Sequence, residues 1–371
     1  MKTRSSIPIA KPIILDEDKR RVLEVLESGM LVAGAQVTQF ERAFARYVGA
    51  VNAVATSSGT TALQVGLEAL GIGPGDKVIT TPFSFVATSN AIIHAGATPV
   101  FVDVDPVTYN LDPAAVEAAM RHDRARAILC VHLYGLPCDL GALERLAAQY
   151  GALLIEDCAQ AHGARYHDRH VGTIGQVGMF SFYPSKNMTT GEGGLIVTAD
   201  GEVAHRARVL INCGQDGSTE YVYEVIGYNY RMTNIAGALG LTQLARLEQH
   251  NEVRRRHAAL LTAAFAPLGW LHPPVAPPGL RHVYNQYTVR LPRGRDRFIQ
   301  HLKANGIGCR IYYPVPIPHS PAYTRLGFGG KYPIAEALAT QVVSLPVHPA
   351  LTGEDLARII DVVSAFDADH P

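Results

Sequence analysis

The sequence holds one tryptophan in 371 residues, and none of its five cysteines forms a C-x-x-C pair. Cys130, Cys138, Cys158, Cys213 and Cys309 are scattered and odd in number. That spacing argues against a disulfide framework or a zinc site and fits a reducing cytoplasm. Net charge is also missing. Lys plus Arg and Asp plus Glu each number 33, for a formal balance of zero. A neutral chain has no global field to draw in nucleic acid or an anionic membrane, so an anionic ligand must be held by local groups. No uninterrupted run of about 18–20 apolar residues occurs, and no membrane span is expected. The N-terminal stretch MKTRSSIPIAKPIIL lacks the apolar core of a signal peptide. The patterns G-x-x-x-x-G-K-[ST], H-E-x-x-H and G-x-S-x-G are absent, as is any internal repeat. His162, His167 and His170 are not spaced as a metal-ligand set, so no metal is expected.

What remains is ordinary globular composition, 47% apolar and 18% charged. From residue 51 to 200 strand and helix patterns alternate. VNAVAT (51–56), KVITT (77–81), TPVFVDV (98–104), AILCVHLYG (127–135) and ALLIEDC (152–158) read as strands. TTALQVGLEAL (60–70) reads as a helix between the first two, and GIGPGD as a turn. Asp112 and Asp139 are N-cap residues, with Pro113 at a first helical position and Gly151 as a stop. This alternation predicts a mostly parallel sheet with helices on both faces. Residues 235–266 read as one long, broken helix, followed by the Pro-rich connector PPVAPPGLRH (273–282). The expected division is a large domain over 1–250 and a smaller α+β domain over 251–371.

Four segments in the first part carry chemistry. Lys186 in MFSFYPSKNMTTGEGG follows apolar strand residues and precedes Gly191, Gly193 and Gly194, which permit close backbone approach. A desolvated lysine there loses its proton, and the neutral amine attacks an aldehyde. Asp157 in LLIEDCAQAHGA sits at the carboxyl end of a predicted buried strand, where ligands of open α/β sheets bind. Its neighbour Glu156 is a rival, but strand alternation sends the two to opposite faces. TSSGTTAL (56–63) turns from a strand into a helix whose free N–H groups suit a phosphate, though it also reads as a plain helix cap. Ser181 can add a hydroxyl. Phe85 in TPFSFVAT offers a flat face, or a core side chain. A lysine, an acid, an anion hole and a flat group are the set that pyridoxal phosphate requires.

In order and spacing, SSGTTAL, DVDPVTYNLDP, EDCAQAHGARY, SFYPSKNMTTGEGG and GYNYRMTNIAGALG resemble successive motifs of the DegT/StrS sugar aminotransferases. The resemblance runs from SGMLVAGAQVTQFE to YYPVPIPHSPAY and SLPVHP. It implies fold type I of the pyridoxal-phosphate enzymes, aspartate-aminotransferase-like, with a mostly parallel sheet between helices. Lys186 then matches the Schiff-base lysine and Asp157 the partner of the pyridine nitrogen. Gln160 matches a side chain near the ring hydroxyl. Gly59, Thr60 and Ser181 match the phosphate site, and Phe85 the group stacked on the ring. Asn229 matches a residue reaching the phosphate from the other subunit of a homodimer. Arg231 is implied for an anionic part of the donor or sugar nucleotide. Tyr312, Tyr313 and His319 fall in a loop that the family uses near the sugar nucleotide.

The implied reaction moves an amino group from an amino acid, glutamate by expectation, to a ketone at C3 or C4 of a nucleotide-linked sugar. Three rivals stand beside it. A dehydratase of the same family carries histidine in place of the lysine, which Lys186 disfavours. A cyclitol aminotransferase uses a keto-inositol with no nucleotide. A non-catalytic regulator is expected to carry a DNA-reading helix pair and a basic face, which the neutral charge does not support.

Overall fold

The computed structural model describes residues 6–217, 219 and 221–367. The first five residues of the N-terminal stretch lie outside them. Among the described residues, twelve strands occur in the order β1 (Asn52–Thr56), β2 (Lys77–Thr80), β3 (Thr98–Phe101), β4 (Ala127–Val131), β5 (Leu153–Asp157), β6 (Arg165–Tyr166), β7 (Arg169–His170), β8 (Val177–Ser181), β9 (Gly194–Thr198), β10 (Leu280–Arg281), β11 (Tyr287–Arg290) and β12 (Val342–Leu345). Seven of them form the central sheet, ordered β1-β9-β8-β5-β4-β2-β3. From β8 to β3 every pairing is parallel, and β9 alone runs antiparallel to its neighbours β1 and β8. β4, β8 and β9 are buried along their whole length. Apolar runs of this kind belong to a sheet covered on both faces.

Two apolar layers do the covering. One gathers Phe40, Phe44, Phe180, Phe182 and Leu195. The other gathers Leu63, Leu67, Ile92, Ile155 and Ile196. The helix Ala35–Val48 lies against Asn234–Ala245, where a Cβ on Gly240 would stand 2.9 Å from the Phe40 ring. The small residues of IAGALG therefore set how closely these helices pack. The expected caps are in place. Asp112 accepts from Ala114 N–H, Asp139 accepts from Ala142 N–H, and Gly151 closes its helix at φ 64°.

Two strands are shorter than the pattern predicts by three residues or more. β3 ends at Phe101, and the Asp103 carboxylate then accepts the Ile334 and Ala335 N–H groups at 2.9 and 3.0 Å. Those groups are the orphan donors of the helix Pro333–Gln341, so the chain leaves the sheet to cap it. β4 ends at Val131 because Leu133–Gly135 form a tight turn with Tyr134 at φ 58°.

The long helix breaks at Arg246 into Asn234–Ala245 and Leu247–Phe265. The Arg246 guanidinium reaches back to Asp18, with both contacts at 2.7 Å. The border expected at residue 250 falls inside the second helix. Leu247 packs in the large-sheet core, whereas Ala258, Leu261 and Phe265 join a separate cluster with Tyr287, Phe298, Val343 and Ile359. Ile7 also packs in that second cluster, so the N-terminal arm touches the C-terminal part.

Candidate active site

β5 and β8 end side by side, and each delivers a functional segment beyond its carboxyl end. Lys186 follows β8 in a loop held on both sides. The Asn285 Nδ2 donates to Ser185 O at 3.1 Å and to Asn187 Oδ1 at 3.0 Å. Asn187 in turn donates to Asn251 Oδ1 and to the Val283 carbonyl. The Lys186 backbone is thus fixed while its side chain is half-buried. Burial pushes its amine down to about 8 from an ordinary 10.5, and the Asp157 charge opposes that shift. At pH 7 about a tenth of such an amine is neutral.

Asp157 closes β5 and is buried. Thr88 Oγ1 donates to its Oδ2 at 2.8 Å, and Ala159 N–H donates to its Oδ1 at 3.0 Å. Burial raises its carboxyl above the ordinary 3.8. The Ala159 and Thr88 donors and the Lys186 charge offset only part of that rise. Glu156 points the other way, as strand alternation requires. It accepts from Gly172, Ile174 and Gly175 N–H at 2.7, 2.8 and 2.7 Å and pairs with His132 Nε2 at 3.0 Å. It belongs to the architecture beneath the sheet. His132, Glu156, Cys130, Cys138 and Cys158 cluster closely enough to suggest metal ligation. Both ring nitrogens of His132 are already engaged, Nδ1 accepting the Cys138 N–H at 3.1 Å, so this is a hydrogen-bonded core.

The candidate anion cradle lies where Gly59 meets Ser181, the last residue of β8. Ser58 caps the helix Gly59–Ala69 by accepting the Thr61 N–H. Gly59 and Thr60 occupy the first two helical positions, whose N–H groups have no acceptor within the helix. A Cβ on Gly59 would meet Ser181 Cβ at 2.5 Å. Glycine is therefore what lets the Ser181 hydroxyl stand against this helix end. The cap reading of the segment is met, and a capped helix still presents free donors at its first turn.

Gln160 joins the site to the C-terminal part. Its Oε1 accepts the Tyr134 N–H at 2.6 Å, and its Nε2 donates to Tyr313 OH at 2.6 Å. Tyr313 stacks on Tyr134 at 6.2 Å and 11° and meets Phe83 edge-on. Tyr313 and Tyr134 both have positive φ, 65° and 58°. Two strained tyrosines sharing one glutamine mark an over-determined local geometry. Tyr312 lies 6.0 Å from Tyr313, ring to ring. Phe85 is 57% exposed, so it is a surface ring and not a core side chain. His319 is placed differently. Its Nε2 bonds the Gly330 carbonyl at 2.9 Å and its ring faces Tyr332, with no hydrogen bond to Lys186, Asp157 or Gln160.

Asn229 and Arg231 lie on a segment that crosses back toward β1, where Arg231 bridges Thr56. Asn229 is exposed. Arg231 forms no salt bridge among the described residues and instead donates to Asn212 Oδ1 and Cys213 Sγ. The preceding stretch exposes Tyr221, Val222, Tyr223, Val225 and Ile226. Three contributors escaped the sequence reading. Thr88 was hidden in a segment read for Phe85. Asn187 and Asn285 act through contacts that reach as far as 100 positions along the chain, which no local pattern signals.

No helix among the described residues is long and apolar enough to cross a membrane. Residues 12–364 match the model of the DegT/DnrJ/EryC1/StrS aminotransferase family. A GDP-perosamine synthase from Caulobacter vibrioides is 41% identical, over 95% of this chain and 96% of that protein. A dTDP-3-amino-3,4,6-trideoxy-alpha-D-glucose transaminase from Streptomyces venezuelae is 42% identical, over 94% and 91%. The crystal structure of S. venezuelae DesV in complex with a ketimine intermediate superposes with a TM-score of 0.92 at 40% identity, covering 97% of this chain and 98% of that one. With the match spanning nearly its whole length, the chain belongs to the DegT/DnrJ/EryC1/StrS aminotransferase family.

Proposed function

We propose that this aminotransferase carries an amino group from an amino acid, L-glutamate in the first instance, to the ketone of a nucleotide-linked sugar. One observation carries the reading: a lysine with a depressed pKa and a buried acid without a full cationic partner share one end of the sheet, beside a helix-end anion cradle. The names of the relatives from Caulobacter vibrioides and Streptomyces venezuelae support the substrate class.

Pyridoxal phosphate is the cofactor, and the residues present fit it. The Gly59–Ser181 approach leaves a cradle that a single Cβ would fill, at a helix end whose Gly59 and Thr60 N–H groups have no acceptor within the helix. Asp157 is pushed toward its neutral form by burial, so a protonated ring nitrogen is the partner that restores its charge. The bound cofactor supplies an electron sink for the charge left when the donor's α-carbon loses a proton.

The chain's own groups do the rest. Lys186 Nζ anchors the cofactor and, once free, accepts the α-proton and returns it on the other side of the exchange. Thr88 and Ala159 hold Asp157 in one orientation. Gln160 keeps one amide proton on Tyr313 and has a second for the ring hydroxyl. Phe85 covers the ring face. Tyr312 and Tyr313 line the path to the sugar. His319 is held away from these groups by Gly330 and serves the loop that carries them.

The active form is a homodimer, with Asn229 completing the partner's site. The exposed apolar stretch 221–226 beside Asn229 supports this. The five free cysteines support a reducing cytoplasm. The test is a panel of keto-sugar nucleotides and a keto-inositol given to the loaded enzyme with glutamate, reading 2-oxoglutarate release and product mass. Amine formation on nucleotide-linked sugars alone sustains the reading. Turnover of the keto-inositol alone replaces it with the cyclitol one.

A further inference from the structure

Arg254 is 6% exposed, yet it has no carboxylate partner among the described residues. Its Nη1 donates to the Tyr284 and Asn285 carbonyls at 3.2 and 3.4 Å, and its Nε has no partner. Burial depresses its pKa to about 10 from an ordinary 12.5. A guanidinium taken out of water is strongly unfavourable unless an anion meets it.

Its place in the fold is specific. Arg254 lines two adjoining cavities. The first is also walled by Lys11, Lys186 and His250. The second is also walled by Tyr312, Gln286 and His348. Every ionisable side chain around the first cavity is a cation when charged, and neither cavity has an Asp or Glu in its wall. The carbonyl of Asn285 holds Arg254, while the Asn285 amide holds the residues flanking Lys186. One turn therefore holds both the Arg254 guanidinium and the chain on either side of Lys186. Arg231, the arginine singled out in the sequence, is instead bonded to Asn212 and Cys213.

Building on the aminotransferase reading, we propose that Arg254 is the oxyanion-binding residue of the substrate site. Its ligand is a carboxylate of the amino-acid donor or the diphosphate of the sugar nucleotide. Arginine presents a planar fork that pairs with either group through two parallel hydrogen bonds. Lys11 adds positive charge beside it, while burial and the neighbouring arginines keep His250 and His348 toward their neutral forms, able to hydrogen-bond an anion.

The experiment uses cofactor-loaded full-length enzyme in three forms: wild type, Arg254→Met and Arg254→Lys. One arm titrates L-glutamate and L-alanine, following the absorbance of the cofactor. The other titrates GDP, UDP and dTDP by calorimetry. The expected result is a loss of about tenfold or more in one arm for Arg254→Met, with less than about threefold change in the other. Arg254→Lys keeps the charge without the fork and recovers part of the loss. A defect confined to glutamate and alanine assigns a carboxylate shared by all donors, one confined to glutamate assigns the side-chain carboxylate, and one confined to the nucleotides assigns the diphosphate. If Arg254→Met does not fold, Arg254→Lys alone still reads the same selectivity at reduced size. Equal losses in both arms, or none, overturn the proposal and leave Arg254 as a clamp on the 284–285 turn. A wild-type enzyme that never responds to any donor fails the parent reading instead, so the two failures are distinct.

Discussion

Glu156 and Asp157 are neighbours on one strand, both buried, and they have opposite fates. Glu156 accepts three backbone N–H groups and faces His132. Burial alone would raise its carboxyl, but these donors outweigh it and hold the group below the ordinary 4.5. Asp157 has two donors, and burial wins. A fully satisfied buried carboxylate is part of the scaffold. An under-satisfied one is held ready for a ligand that supplies the missing positive charge. The two faces of β5 thus separate architecture from chemistry within one residue step.

The largest test of this contrast is Asp157→Asn. Steady-state transamination should fall by about a thousandfold or more, equivalent to about 4 kcal/mol of barrier. The unloaded protein should melt no lower than wild type. A folded-state pKa raised above the unfolded value makes ionised Asp157 a cost at neutral pH, and the amide removes that cost. The rise in melting temperature on adding pyridoxal phosphate should shrink at the same time. Retained turnover would put the ring nitrogen's partner elsewhere.

Glu156→Gln should do the reverse. An amide cannot accept all three N–H groups and also face His132, so unfolding free energy should drop by about 3–5 kcal/mol in denaturant titration. The folded fraction should keep wild-type turnover per active site. The sign in acid follows from the depressed pKa. Glu156's contribution is full above the unfolded value near 4.5 and drains as pH falls through the lower folded value. The acid limb of wild-type unfolding should therefore flatten in this variant. A next, smaller probe is Thr88→Val, which removes one hydrogen bond to the Asp157 charge. It should cost about 1.5–3 kcal/mol of transition-state stabilisation, read as kcat/KM, with little change in melting.

The sequence made this contrast partly legible. Period-two alternation separated Glu156 from Asp157, and the strand-to-helix pattern put Asp157 at a binding end of a parallel sheet. Asp112, Pro113, Asp139 and Gly151 marked helix ends correctly because caps are local chemistry. What stayed hidden was long-range. β3 stops early for Asp103 to cap a helix more than 200 positions away, and Arg246 breaks a helix while bonding Asp18. Arg254 sits among charged neighbours in RRRH, so nothing local distinguishes the buried arginine from the exposed Arg255 and Arg256. His319 shares a loop with Tyr313, yet its ring turns toward Gly330, and a loop's side-chain directions have no period to read.

The smallest expected effect tests how far each acid's charge is felt. Unloaded protein is mixed with pyridoxal phosphate, and the rate at which Lys186 condenses with the aldehyde is followed against pH. Only the neutral amine reacts, so the rate should fall about tenfold for each pH unit below a midpoint near 8. An unburied lysine would place that midpoint near 10.5. Asp157 is the charge that holds the Lys186 amine up against burial. Asp157→Asn should therefore move the midpoint below 8, leaving more neutral amine at pH 7, even though overall turnover collapses. Glu156→Gln should leave the midpoint where it is, because that carboxylate faces His132 and the 172–175 loop on the opposite side of the strand. Equal shifts in the two variants would mean that the strand does not partition their fields, and the division between scaffold and chemistry drawn from their hydrogen bonds would fail at the residue where it matters most.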